Sequence, residues 1–230
     1  MTLAARRWPE LAGVAGSTIL AVPLGSTEQH GPHLPLSTDT DIAVALAMRL
    51  ARARPAVLVA PAVPYGSSGE HQGFPGTLSI GQAGLEAVVI ELARSADGFA
   101  AVVFVCAHGG NAEPLARAVA LLRGEGRRVL SWSPRLDPSA GMDAHAGRTE
   151  TSLMLTLDPS VVNLAAAEAG ESRPLGQIGA QLRAGGVSSV SANGVLGDPG
   201  GASAAEGAAL LASFVADLVG AVDRLTSVTA

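Results

Sequence analysis

Glu28 and His30 stand two residues apart, and Asp39 follows in the same loop. All three belong to residues 25–41, GSTEQHGPHLPLSTDTD, which also hold His33 and Asp41. The loop follows an apolar run at 18–24 that reads as a buried strand, and it precedes an apolar helical pattern from Ile42. In extended backbone a spacing of two turns both side chains to one side. Asp39, beside Thr38 at the start of the expected helix, turns its carboxylate back toward the loop. Carboxylate, imidazole and carboxylate converging beyond a strand end form a donor set for a divalent metal. Singly, each residue has a plainer reading: a solvated Glu28, a hydrogen-bonded His30, and Asp39 as a helix N-cap. Together in one loop they point to a metal.

The elements that must position these residues follow from apolar patterning. Strands are expected at 18–24, 57–60, 101–106 and 128–132. Helices are expected at 2–12, 39–53, 82–96, from about 112 to 122, at 147–155 and at 203–225, the last opened by a Ser203/Glu206 capping box. In the first helix Trp8 and Leu11 are the expected apolar contacts. Residues 170–177 read as flexible and 188–202 as turn-rich, with 133–144 irregular. Alternating strands and helices imply an α/β fold with a mostly parallel sheet covered on both faces, here as one domain over 1–230. Ligands in such folds bind beyond the carboxyl ends of the strands. The loops at that edge carry His30 and His33, then Ser68 and His71, then His108 in HGGN, and His145 just before Glu150. Asn111 is placed to cap the helix after HGGN. Glu150 in a first helical turn also simply matches the helix dipole.

Composition excludes several classes. The 230 residues are 48% hydrophobic and 15% charged, with net charge −5. Typical chains carry about 25% charged residues, so the sparse surface suggests cover by another subunit. All basic residues are Arg and they are scattered, which argues against a nucleic-acid partner. Cys106 is the single cysteine, so no internal disulfide is possible. No secretory leader and no membrane-spanning run is expected, and the chain reads as cytoplasmic. A nucleotide-binding or non-enzymatic metal-binding module is the reading from another class. HGGN can imitate a phosphate turn, but no Walker or GxGxxG pattern accompanies it.

Four segments, GSTEQHGPHLPLSTD at 25–39, FPGT at 74–77, HGGN at 108–111 and HAGRTETS at 145–152, resemble the creatininase family in type and order. The resemblance implies a three-layer α/β sandwich, a site for two divalent metal ions and a homo-oligomer, usually a hexamer. It implies that Glu28 and His108 hold one ion and His30 the other, with Asp39 bridging. The native metal stays open among Zn, Fe(II) and Mn. Creatinine-opening members carry a carboxylate two residues after the matching histidine. Gly110 stands there, which argues against creatinine and leaves the second ion short of a ligand, for which Glu150 is the candidate. YGSSGEHQGFPGT at 65–77, DAHAGRTETS at 143–152 and SANGVLGDPGGASAAEG at 191–207 resemble the branch of the family that acts in mycofactocin maturation. That likeness implies a peptidase releasing a C-terminal Val-Tyr-derived dipeptide from a modified precursor peptide. Hydrolysis of a small cyclic amide is the alternative. In either case His145 would serve as the catalytic proton donor, Ser68 and His71 would touch substrate, and His33 would shape the loop.

Overall fold

Strands β1 (Ile19–Leu24), β2 (Val57–Val59), β3 (Ala101–Cys106) and β4 (Val129–Trp132) form one parallel sheet in the order β2-β1-β3-β4. The computed structural model describes residues 2–135 and 143–227. Continuous apolar runs such as AVVFVC suit strands covered on both faces. Alternation sends Ile19, Ala21, Val103 and Val105 to one face, and Leu20, Val22, Phe104 and Cys106 to the other. Helices α2 (Thr38–Ala53), α5 (Arg148–Leu157) and α7 (Ala204–Ser227) cover the first face. Helices α3 (Gly81–Ser95) and α4 (Ala112–Gly124) cover the second. This is the expected three-layer sandwich.

β1 and β3 are paired along their length, ending with Leu24 beside Cys106. Yet β1 leads into α2 on one face, and β3 leads into α4 on the other. The chain therefore diverges above these two strand ends and opens a crevice there, as doubly wound sheets do at a switch point.

Some expectations are corrected. The helix expected at 2–12 is a 3-10 turn, Leu3–Ala5, followed by the short α1 (Trp8–Leu11), and Trp8 is 80% exposed rather than an apolar contact. Residues 170–177, read as flexible, contain the start of α6 (Leu175–Gly185). Ile178 of α6 packs with Val187, Leu196 and Phe74 in a small separate core. The capping box at α7 is half formed: Ser203 Oγ accepts from Glu206 N at 3.2 Å, but the Glu206 carboxylate turns to Arg148 and Ser152. By length and composition alone, α7 is long and apolar enough to cross a membrane. Its Leu211, Phe214, Leu218 and Val222 are buried in the sheet-facing core, and Asp217 accepts from Trp132 Nε1 at 2.7 Å. Residues 136–142, within the stretch expected to be irregular, lie outside the described residues.

Candidate metal centre

The loop after β1 brings Glu28 and His30 over the crevice, and the first turn of α2 brings Asp39 to meet them. Gly25 makes this approach possible, since a Cβ there would lie 2.5 Å from the Thr40 backbone. Ser37, not Asp39, holds the N-cap position of α2, so the Asp39 carboxylate is free to face inward. Asn111 likewise departs from its expected role. It makes no cap bond to α4. Its Nδ2 donates to Gly25 O at 3.0 Å, and its Oδ1 accepts from Ser67 N at 2.8 Å. One buried amide thus ties the first loop to the second beneath the site.

The five residues expected as ligands converge. Asp39 Oδ1 lies 3.2 Å from His30 Nε2, and its Oδ2 lies 3.3 Å from His108 Nδ1. Glu28 Oε2 lies 3.2 Å from His108 Nε2. Glu150 Oε2 lies 3.8 Å from His30 Nε2 and accepts from Ala146 N at 2.6 Å. Ala146 is left-handed at φ 52, a strained conformation for alanine. It lets His145 and Glu150 face one centre. His145 Nδ1 lies 3.6 Å from Glu28 Oε1. Three overlapping sets place potential ligand atoms within 4.8 Å of one another: Glu28, Asp39 and His108; His30, His145 and Glu150; Glu28, His71 and His145. Beside them lies a cavity of about 240 Å³, walled by Ile42, Leu153, Leu175 and Phe214, with Asp39, His108, His145 and Glu150 at its polar side.

The electrostatics are those of a site built for cations. Glu28 is fully buried, and both of its oxygens lack a hydrogen bond, as does Asp39 Oδ2. An uncompensated buried carboxylate is costly, so these orphaned oxygens fit divalent ions. Burial opposes charge on His30, but Asp39, Glu150 and Glu28 outweigh it and hold the imidazole up at about 10. Burial likewise opposes charge on His108, and Glu28 and Asp39 hold it well above the usual range. Burial pushes the Glu150 carboxyl up to about 7, with His30 pulling the other way. Burial, then His108 and His30, push His71 down to about 3, and burial with His30 and His71 keeps His145 well below its ordinary value.

Ser68 and His71 do not line the apolar cavity. Ser68 Oγ contacts Ser26 Oγ and lies 3.3 Å from His108 Nε2. His71 is buried, with Nε2 3.3 Å from Glu28 Oε1. His33 stands apart from the centre and bonds Thr151 Oγ1 at 2.9 Å, as a loop-shaping residue would.

Sequence reasoning passed over Gln29. Its Nε2 lies 2.8 Å from His71 Nδ1 and 3.0 Å from Gly194 O, and its backbone oxygen accepts from His145 Nε2 at 2.8 Å. It fixes the orientation of two histidines from the position between Glu28 and His30. Asp143 was also missed: its carboxylate accepts from Arg148 N and Thr149 N at the start of α5. The only local signal was DAHAG, an acid shortly before a glycine-led helix.

Comparison with known proteins agrees with this geometry. The family model described as creatininase, creatinine amidohydrolase, matches residues 4–222. A Mycolicibacterium smegmatis protein named mycofactocin precursor peptide peptidase is 50% identical over 213 residues, covering 90% of this chain and 84% of its own length. A protein of the same name from Mycobacterium ulcerans is 49% identical over 216 residues, covering 90% and 85%. Among solved structures, a mutant creatininase superposes with TM-score 0.82 at 26% identity, covering 97% of this chain and 98% of its own. A Zn-Zn type mutant creatininase gives 0.81 at 25% identity, with 97% of each chain covered. With its three-layer fold and its carboxylate–histidine cluster at the sheet's carboxyl edge, this chain belongs to the creatininase family of metal-dependent amide hydrolases.

Proposed function

We propose that the chain is one catalytic domain, a two-metal peptidase that releases the Val-Tyr-derived dipeptide from the C-terminus of a modified mycofactocin precursor peptide. The observation that carries this reading is the buried Glu28–His30–Asp39–His108 cluster in a chain half identical to relatives bearing that peptidase name. Glu28 and His108 would hold one ion and His30 and Glu150 the other, with Asp39, which faces both His30 and His108, serving both. His30 Nδ1 faces Glu28 O at 3.1 Å, so Nε2, on the Asp39 side, would be the ligand atom. Zn, Fe(II) and Mn suit these donors. When bound, the two ions supply an activated water and polarise the scissile carbonyl.

The chain's own residues do the rest. His145 gives its Nε2 proton to Gln29 O, so Nδ1 is the atom that takes up a proton and passes it to the leaving amine. The apolar cavity beside His145 takes a hydrophobic side chain next to the scissile bond. Ser68 borders the groove formed with Tyr65 and Leu78, on the substrate side, while His71 holds Glu28 from within. The enzyme acts as a homo-oligomer, a hexamer by family likeness, in the cytoplasm, where the buried thiol of Cys106 stays reduced.

The test is a paired assay with metal-loaded protein. One arm holds a modified precursor peptide ending in Val-Tyr, and the other holds creatinine. Dipeptide release with creatinine untouched supports the reading. Rapid creatinine opening with the peptide intact overturns it in favour of the cyclic-amide alternative.

A further inference from the structure

We propose that Glu70 is a further residue of the metal centre, supplying on the His108 side a carboxylate that the His108 loop itself lacks. The inference rests on the metal reading of the site given above. The loop HGGN contains no acid, and Gly110 lies against the His108 ring. A Cβ at Gly110 would lie 2.5 Å from His108 Nε2, 2.3 Å from Ser67 O and 2.3 Å from Glu70 Oε1. The room at position 110 is therefore already filled, and Glu70 from the neighbouring loop helps to fill it.

Glu70 Oε1 lies 3.6 Å from His108 Nε2, its one ion pair among the described residues. The side chain is 35% exposed, so it has a route to solvent. It turns inward instead, toward His108, which already faces Glu28 at 3.2 Å and Asp39 at 3.3 Å. Three carboxylates around a single imidazole repel one another unless further positive charge stands among them. A divalent ion held at this corner would supply that charge.

The position is also built rather than incidental. Glu70 sits in the 3-10 turn Gly69–His71, whose His71 is anchored against Glu28. Behind it, Gly186 after α6 presses on the turn, since a Cβ there would meet Glu70 O at 2.6 Å. The small separate core around α6 thus buttresses this one acidic residue.

The test measures bound metal rather than turnover. Glu70→Gln, Glu70→Ala and Glu28→Ala are stripped with chelator, checked by circular dichroism, and titrated with Zn²⁺ by calorimetry. Glu70→Gln keeps the shape and removes the charge. It is expected to weaken one of the two Zn²⁺ sites by about tenfold or more. Wild-type affinity at both sites in Glu70→Gln and Glu70→Ala, with Glu28→Ala impaired, overturns the inference and leaves the metal reading standing. Full binding in Glu28→Ala as well overturns both.

Discussion

At the scale of single residues, Asp39 joins the two halves of the centre. Its oxygens reach histidines carried by loops after two different strands, His30 after β1 and His108 after β3. Glu150 and His145 adjoin it with different duties. Glu150→Ala is expected to lower both bound metal and turnover, whereas His145→Ala keeps metal and loses roughly 10²- to 10⁴-fold in turnover. Metal analysis beside kinetics separates them, and equal metal loss in both variants would contradict the assignment. A second expectation concerns protons. In the metal-free protein His30 titrates at about 10 and His108 also stays protonated above its ordinary range. Metal needs the neutral imidazole, so between about pH 6.5 and pH 10 uptake must displace protons and affinity must rise with pH. Calorimetry in buffers of different ionisation enthalpy reads this release. No release at pH 8 would show that the histidines are already neutral.

At the scale of elements, the site depends on ties that hold loops to strands. Asn111→Ala removes the bonds to Gly25 O and Ser67 N and leaves both buried groups unpaired. The expected cost is about 2–3 kcal/mol in chemical denaturation, with weaker metal binding because both loops loosen. Asp143→Ala removes the acceptor for two N–H groups at the start of α5 and is expected to cost about 1 kcal/mol. Denaturation midpoints at wild-type values would refute either role. The sheet was legible because runs such as AVVFVC have few alternatives, and the candidate ligands could be singled out because each follows such a run or opens a helix. α6 was not, since its Leu175, Ile178 and Leu182 are diluted by glycines and it begins inside a stretch, 170–177, that reads as flexible. Gln29, Glu70 and the ties of Asn111 were hidden for a different reason. The histidine and Gly194 partners of Gln29 Nε2 lie 42 to 165 residues away and the two loop groups tied by Asn111 lie 44 and 86 away, and no local pattern encodes such contacts.

At the scale of the whole molecule, the surface bears apolar residues that the fold leaves uncovered, among them Trp8, Tyr65 and Leu78, beside few charges. Tyr65 and Leu78 border the groove next to Ser68. Sedimentation at micromolar concentration is expected to find a hexamer, and a monomer would contradict the assembly. The central claim is that two ions held by this cluster cleave the peptide. It is tested by stripping the enzyme with chelator and restoring Zn²⁺ or Mn²⁺ stepwise, with dipeptide release followed by mass spectrometry. The account predicts no release from stripped protein, full release as occupancy approaches two ions per chain, and none at any ratio from Asp39→Ala. Undiminished release from the stripped protein, or from Asp39→Ala, would contradict it.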